Sequence, residues 1–357
     1  MSERVLMKGN EALAEAAIRA GCLHFFGYPI TPQTELAAYM SKKMPKLGGT
    51  YMQAESEVAA INMVFGAASA GVRAMTSSSS PGISLKTEGI SYIAGCDVPC
   101  VIVNVMRGGP GLGGIQPSQA DYWQATRALG HGDFSVLVFA PSSVQELVDM
   151  VFKAFEKSEK YRMPSLILSD GLMGQMMEPV SFPDNPEVKT FDKPWAVTGH
   201  KNEREHNIVN SLYLQPNKLE NVVLERYKRY ELVQEKEQAA QEYLCDDADI
   251  IVTAFGASAR ITQSAVDMVR AEGLKVGMLR PIMLWPFPVK YIQKHLPHTK
   301  AFLSVEMNMG QMVDDVRLAV NGAAPVEFYG RTGGMVPTPK DVAAKLRELA
   351  KKVGGAK

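Results

Sequence analysis

Three short segments place chemically capable side chains directly after predicted β-strands. Thr31 ends the sequence Gly-Tyr-Pro-Ile-Thr, Glu55 and Glu57 precede an alanine-rich stretch, and Arg107 follows a long apolar run. In open parallel sheets, ligands bind at the carboxyl ends of the strands. A hydroxyl, a carboxylate and a guanidinium at one such edge could together bind a polar small molecule.

Each of these residues also has a purely structural interpretation. Thr31 could cap a helix predicted over 32–43. A glutamate in the first turn of a helix is favoured by the helix dipole by about 0.3–1 kcal/mol. Arg107 could form a structural ion pair, or it could bind a ligand carboxylate through charge-assisted hydrogen bonds. The small residues of the helix predicted over 58–70 favour close packing, so a glutamate at its start is expected to be partly buried and to need a partner.

Two turns rich in glycine or serine offer weaker signals. Residues 109–114 fit the dinucleotide pattern G-x-G-x-x-G, but Pro117 interrupts the helix that should follow, and no acidic residue ends the next strand, 134–140. The run Ser77–Ser80 could hold a polar ligand or cap a helix. Asp170-Gly171 follows a strand, but no later asparagine completes a magnesium–diphosphate motif.

Composition narrows the class of protein. The 357 residues contain 38 lysines plus arginines and 38 aspartates plus glutamates, and this neutral balance argues against nucleic-acid or membrane-surface binding. The cysteines, at 22, 96, 100 and 245, match no zinc or iron–sulfur spacing, so we expect buried, reduced thiols in a cytoplasmic protein. The first residues predict an amphipathic helix rather than a signal peptide, and no apolar run approaches the roughly 20 residues that cross a bilayer.

The elements that must position the candidate residues alternate between strands and helices. Strands are predicted over 22–27, 98–106, 134–140 and 165–168, and helices over 11–20, 32–43, 58–70 and 142–157. Asn10 is predicted to cap the first helix, and Ser143 with Glu146 forms a capping-box pattern at the last. This alternation predicts an α/β fold with a parallel sheet covered on both faces.

The chain divides into three predicted segments. Residues 1–180 form the first α/β domain, and the proline-containing segment 181–246 is an extended connector. Its charged helix, over about 218–243, is expected to present a solvated face or to contact another subunit. Residues 247–357 form a second α/β domain. Its strands are predicted over 250–255, 275–279, 301–305 and 326–329.

Taken together, the motifs resemble the α subunit of 2-oxoacid:ferredoxin oxidoreductases. The matching phrases are Gly-Tyr-Pro-Ile-Thr-Pro at 27–32, Glu-Ser-Glu and its helix at 55–71, Val-Met-Arg-Gly-Gly-Pro at 105–110, Leu-Arg-Pro-Ile at 279–282 and Val-Glu-Met-Asn-Met-Gly-Gln at 305–311. The resemblance covers nearly the whole chain. It implies that 1–180 is the pyrimidine-binding domain of a thiamine-diphosphate enzyme and that 247–357 is similar to the C-terminal domain of transketolases.

The resemblance also implies roles for individual residues. Glu57, by its distance from Gly66-Ala67, matches the family's catalytic glutamate better than Glu55 does. That glutamate bonds N1′ of the cofactor's aminopyrimidine, which helps the neighbouring 4′ nitrogen to take the C2 proton. Thr31 matches the threonine beside the 2-oxo group, and Arg107 matches the residue that holds the substrate carboxylate. The further cofactor contacts expected are Pro29, Ile30 and Ser80. No metal ligand is expected in this chain.

Partner chains are also implied. A β subunit is expected to carry the domain that binds the diphosphate and Mg²⁺, so thiamine diphosphate would be shared between two subunits. Iron–sulfur clusters, a γ subunit and a ferredoxin-like δ subunit are expected beside it. Ferredoxin would accept the electrons and coenzyme A the acyl group.

The preferred oxoacid is less constrained than the reaction. The loop at 109–119 and the connector at 210–214 look like the branched-chain (2-oxoisovalerate, or 3-methyl-2-oxobutanoate) branch of the family, and the 2-oxoglutarate branch is the alternative. No second basic residue lies in the loop to bind a distal carboxylate. Two other classes stay open: a non-catalytic regulatory paralogue, and a nicotinamide dehydrogenase that uses residues 109–114.

Overall fold

The computed structural model describes residues 4–183 and 188–354. Their strands are β1 Val5–Lys8, β2 His24–Gly27, β3 Thr50–Gln53, β4 Ala74–Ser78, β5 Val101–Met106, β6 Leu137–Phe139, β7 Ser165–Asp170, β8 Met177–Val180, β9 Ala240–Tyr243, β10 Ile250–Thr253, β11 Val276–Pro281, β12 Met283–Trp285, β13 Ala301–Glu306 and β14 Val326–Gly330. The α-helices are α1 Gly9–Arg19, α2 Thr34–Lys43, α3 Glu57–Ser69, α4 Ser80–Gly95, α5 Tyr122–Arg127, α6 Val144–Tyr161, α7 Gly171–Gln175, α8 Pro216–Lys236, α9 Gly256–Ala271, α10 Val289–His295, α11 Met312–Val320 and α12 Pro339–Gly354.

The first sheet has seven strands in the order β12-β6-β7-β5-β4-β2-β3. All neighbours pair in parallel except β12, which runs antiparallel to β6. All six residues of β5 are buried, as a strand covered on both faces requires. Val101, Val103 and Val105 face one apolar core, and Ile102 and Met106 face the other. The α/β prediction is therefore confirmed.

The second sheet has the order β14-β13-β10-β11-β9, with β9 antiparallel at its edge. The two sheets are not independent bodies. β12 lies in the C-terminal part of the chain yet completes the first sheet. One apolar cluster also contains residues from both parts, and in it the rings of Tyr122 and Phe255 lie 5.7 Å apart. The C-terminal unit is therefore positioned directly against the carboxyl edge of the first sheet.

Three local predictions differ from the structure. Asn10 does not cap α1 but lies within it, because its buried amide donates to the Pro32 carbonyl oxygen (2.7 Å) and to Glu35 (3.1 Å). Thr31 does not cap α2, since a turn at 30–33 intervenes and the helix begins at Thr34. The charged helix ends at Lys236 rather than near 243, because residues 240–243 pair with β11 instead.

The four cysteines are free thiols, of which three are buried and Cys96 is half-buried. Burial raises the pKa of Cys22 and of Cys100 to about 12, so both are protonated at neutral pH. In the part of the chain that the structure describes, no helix is both long enough and apolar enough to cross a membrane.

Candidate functional site

The carboxyl ends of β2, β4 and β5 bring the predicted residues to one edge of the first sheet. The segment after β2 carries Thr31, the segment after β4 leads into α4, and Arg107 follows β5 directly. Helix α3 begins at the same edge with Glu57. The rule that ligands bind at the carboxyl ends of parallel strands therefore locates a single candidate site here.

Glu57 is the first residue of α3 and is only 6% exposed. The helix is capped by Ser56, whose hydroxyl accepts from the Ala59 amide at 3.2 Å, so Glu57 is not needed as a cap. Within residues 4–183 and 188–354, the Glu57 carboxylate accepts no hydrogen bond and forms no ion pair within 4 Å. A buried carboxylate without a partner is costly, so this one is arranged for a group that binds from outside the chain.

Gly82, in the first turn of α4, lies against the Glu57 carboxylate. A Cβ atom at this position would stand 2.7 Å from Glu57 Oε1 and would also collide with the Ser78 hydroxyl. The hydroxyls of Ser78 and Ser79 are buried and have no hydrogen-bond partner among the described residues. The Glu57 carboxylate and the Ser78 hydroxyl therefore both pack against Gly82, in space that any side chain at this position would occupy.

Arg107 is buried, with 8% of its surface exposed. Nη1 donates to the Thr31 carbonyl oxygen at 2.9 Å, Nη2 donates to that of Leu112 at 3.3 Å, and Nε has no partner. In the described part of the chain no carboxylate pairs with it, so the structural ion pair considered from the sequence is absent. An arginine held by carbonyl groups alone keeps its charge available for an anion.

The Ser80 hydroxyl is buried and forms its hydrogen bonds with other residues of this chain. Its hydroxyl donates to Asp121 Oδ2 (2.5 Å) and accepts from the Arg107 amide (3.0 Å), while Asn104 donates to the same aspartate oxygen (2.9 Å). Burial raises the pKa of Asp121, although these hydrogen bonds oppose the shift. This network ties the end of β5 to the start of α4, so Ser80 positions the backbone of Arg107.

The remaining predicted residues lie on the segment after β2. Pro29 and Thr31 are exposed, and Ile30 is half-buried. Gln33, which the sequence did not single out, is fully buried and accepts from the Ser77 hydroxyl at 2.6 Å. This bond fixes the segment that carries Thr31 to β4.

Lys86 was also missed, although the sequence contains a signal for it. Positions 83, 86, 90 and 93 lie on one face of α4. Three of them are isoleucines, and the remaining one, between Ile83 and Ile90, is Lys86. Its side chain is fully buried, and its Nζ donates to the Glu57 carbonyl oxygen at 3.3 Å.

The glycine loop at 109–114 lacks the geometry of a dinucleotide site. Its base is closed by hydrogen bonds from the Gly108 amide to Gln116 (2.9 Å) and from the Gly114 amide to Gly108 (2.9 Å). Arg107 and Pro117 form an antiparallel bridge, and the next helix, α5, starts only at Tyr122. A dinucleotide fingerprint needs a helix that opens directly from the loop.

A cavity of about 410 Å³ lies beside Thr31. Its lining comes from the ends of β2, β5 and β7: Thr31, Pro32, Glu35, Ile115, Gln116, Pro117, Gly171, Leu172 and Gln175. Glu35 is the one charged residue among them. Partial burial opposes its ionisation, but hydrogen bonds, including those from Gln175 and Asn10, prevail and hold the pKa of Glu35 below its usual value. The cavity is therefore largely apolar, and its one charged lining residue, Glu35, is paired with Lys8 at 3.3 Å.

The C-terminal unit forms hydrogen bonds with the carboxyl edge of the first sheet. Gln119, which is fully buried, donates to the Phe255 carbonyl oxygen (2.7 Å) and accepts from the Met307 amide (3.0 Å). Asp170, at the end of β7, accepts from the Ala257 amide at 3.1 Å. The loop that follows Arg107 is thus held between the two sheets.

Two family models match the chain. The thiamine-diphosphate-binding domain of pyruvate flavodoxin/ferredoxin oxidoreductases matches residues 15–244, and core domain II of pyruvate:ferredoxin oxidoreductases matches residues 248–342.

Similar proteins cover the chain almost completely. A ketoisovalerate oxidoreductase subunit VorB from Methanothermobacter thermautotrophicus is 48% identical over 97% of this chain and 97% of its own. A 2-oxoglutarate synthase subunit KorA from Methanothermobacter marburgensis is 35% identical over 97% of this chain and 99% of its own.

A solved structure of similar fold is the 2-oxoglutarate:ferredoxin oxidoreductase from Magnetococcus marinus with 2-oxoglutarate, coenzyme A and succinyl-CoA bound. Its TM-score is 0.87 at 27% identity, and the match covers 97% of this chain and 65% of that one. A split-gene transketolase described as an inactive beta4 tetramer shares the fold alone, with a TM-score of 0.61 at 14% identity.

Proposed function

The chain belongs to the 2-oxoacid:ferredoxin oxidoreductase family as one of its subunits, and we propose that the first-sheet edge is half of its thiamine-diphosphate site. The observation that carries this proposal is that two buried charges, Glu57 and Arg107, lie at the carboxyl edge of one sheet without an ion-pair partner within 4 Å among the described residues. The network around Ser80 and the C-terminal unit holds the segment that carries Arg107 in place without neutralising its charge.

The residues fit an aminopyrimidine. The Glu57 carboxylate has free hydrogen-bonding capacity, and the absence of a side chain at Gly82 lets it lie beside the Ser78 hydroxyl. The buried hydroxyls of Ser78 and Ser79 have no partner among the described residues. Pro29 and Ile30 lead from β2 to Thr31 at this edge and would provide further contacts.

When bound, thiamine diphosphate supplies the electron sink for decarboxylation of a 2-oxoacid. Glu57 would hold a proton between its carboxylate and the aminopyrimidine N1′ and would thereby help the cofactor to lose its C2 proton. Arg107 binds the substrate carboxylate, and Thr31 donates its hydroxyl to the 2-oxo oxygen. Because Arg107 also bonds the Thr31 backbone, the carboxylate-binding and oxo-binding groups are fixed relative to each other.

Partner subunits complete the reaction. A β subunit would bind the diphosphate and Mg²⁺, and γ and ferredoxin-like δ subunits and their iron–sulfur clusters would pass electrons to ferredoxin. Coenzyme A would receive the acyl group. Among residues 4–183 and 188–354, no group of three or more His, Cys, Asp or Glu side chains converges as a metal site would require.

We propose 3-methyl-2-oxobutanoate as the preferred substrate rather than 2-oxoglutarate. The cavity beside Thr31 is lined by Pro32, Ile115, Pro117 and Leu172, which suit a branched apolar side chain. No cationic side chain lines this cavity to bind the distal carboxylate of 2-oxoglutarate, and the one charged lining residue, Glu35, is an acid paired with Lys8. The 48% identity to a ketoisovalerate oxidoreductase subunit supports the same choice.

A substrate panel with Glu35→Gln tests this choice. In the reconstituted complex, reduction of a viologen dye in the presence of coenzyme A should be fastest with 3-methyl-2-oxobutanoate. The variant should raise the kcat/KM for 2-oxoglutarate relative to it by about tenfold, the effect of ~1.4 kcal/mol. Glu88→Gln, on the surface of α4, is the control and should leave the ratio unchanged. A wild-type preference for 2-oxoglutarate would refute the substrate assignment.

A further inference from the structure

Lys86 is a lysine in the apolar core between α3, α4 and β5. Its side chain is fully buried, which is rare for a lysine without a carboxylate partner. Among the described residues its one hydrogen bond goes to the Glu57 carbonyl oxygen, at 3.3 Å, and no ion pair forms within 4 Å. An apolar residue such as methionine would fill this position without the cost of burying an ammonium group.

Glu57 is the charge that acts on this lysine. The charged side chains on α4, which carries Lys86, and on the elements beside it are Glu55, Glu57, Glu88, Arg107 and Asp121. Glu55 is exposed and Glu88 accepts from Tyr92 at the surface, while Asp121 is bonded by Ser80 and Asn104. Burial lowers the pKa of Lys86 to about 8, and the charge of Glu57 opposes that shift.

We propose that Lys86 is a positioning residue for Glu57: its buried ammonium donates to the Glu57 carbonyl oxygen, holds the first turn of α3 and thereby fixes the place of the carboxylate. The inference rests on the proposed function, since it matters for catalysis only if Glu57 acts there. Lys86 is fully buried and contacts Glu57 through its backbone carbonyl, so it would act through Glu57.

The first test needs no cofactor and uses the full chain alone. A lysine with a lowered pKa in the folded state binds fewer protons than the unfolded chain between pH 8 and its ordinary pKa of 10.5. Stability must therefore rise with pH across that window. The urea midpoint of wild type should therefore rise relative to that of Lys86→Met from pH 8 to pH 10.5, as the cost of burying the ammonium is relieved. Lys86→Arg, which stays charged, should also lack the rise.

The Glu57→Gln variant tests whether the Glu57 carboxylate affects the titration of Lys86. Without the carboxylate, the ammonium loses its one favourable charge, so the rise in stability should begin below pH 8 in a Glu57→Gln background. Lys160→Met, a half-exposed lysine on α6, is the matched control and should leave the wild-type rise intact. Parallel stability curves for wild type and Lys86→Met, or an onset that Glu57→Gln does not move, would overturn the inference.

The second test measures turnover of the reconstituted complex against pH. Wild-type kcat should fall as pH passes 8, where Lys86 loses its charge, whereas Lys86→Arg should keep its rate to higher pH and Lys86→Met should be slow throughout. If Glu57→Gln retains full turnover, the proposed function fails. If Glu57→Gln is inactive but Lys86→Met has the wild-type pH profile, only the role of Lys86 fails.

Discussion

Both parallel sheets carry a buried glutamate and a buried arginine at their strand ends, and the two pairs differ in how they are satisfied. In the second sheet, Glu306 ends β13 and Arg280 lies at the end of β11. The Glu306 carboxylate accepts five hydrogen bonds, three of them from the backbone amides of residues 311–313. Arg280 binds Glu146 through two nitrogens (2.6 and 2.9 Å) and Gln241 through the third (2.8 Å).

In the first sheet, Glu57 accepts no hydrogen bond from the described residues and Arg107 meets only carbonyl oxygens. Burial and residue type are the same in both pairs, so neither property separates a site from a structural pair. The difference lies in the hydrogen bonds that the chain itself supplies. Buried charges that are fully hydrogen-bonded within the chain stabilise the fold, and those that lack such partners are free to bind a ligand.

The largest expected effect on turnover is that of Glu57→Gln. In the reconstituted complex, dye reduction should fall by about 10²–10⁴-fold, since this is the usual contribution of a proton-sharing side chain. The exposed neighbour Glu55→Gln is the matched control and should stay near the wild-type rate. Unchanged turnover in Glu57→Gln would instead favour a non-catalytic, regulatory role for the chain.

Arg107→Met should have the next largest effect. Loss of charge-assisted hydrogen bonds worth ~1.5–3 kcal/mol should raise the KM for the oxoacid by about 10- to 100-fold. The midpoint of urea unfolding should change little, because no carboxylate in the described chain loses a partner. A large loss of stability with an unchanged KM would show that Arg107 is structural after all.

Glu306→Gln should have the opposite pattern and the smallest effect on turnover. The amide cannot accept all five hydrogen bonds, so we expect the free energy of unfolding to fall by about 2–3 kcal/mol. The kcat of complex that remains folded should stay within about twofold of wild type. The comparison between the sheets is wrong if this variant keeps its stability and loses its turnover.

The fold was largely predictable from local patterns. The apolar run at 98–106 predicted a doubly buried strand, and its residues 101–106 form β5, whereas β3, β4 and α4 were not predicted. The candidate residues were found because strand ends are visible in sequence. What escaped prediction depends on tertiary partners: Asn10 bonds to residues 22 and more positions away, and residues 240–243 pair with β11. The Glu306 carboxylate, in contrast, is bonded by near neighbours in the chain, residues 304–313, whereas the surroundings of the Glu57 carboxylate include Ser78 and Gly82, which are distant in sequence.

The central claim is that Glu57 and Arg107 form half a site that another subunit completes. Titration calorimetry with thiamine diphosphate and Mg²⁺ tests it most directly, using this chain alone, its partner subunit alone and the reconstituted complex. We predict tight binding in the complex alone, and a marked weakening when the complex contains Glu57→Gln. Tight binding and full oxoacid turnover by the isolated chain would contradict the account.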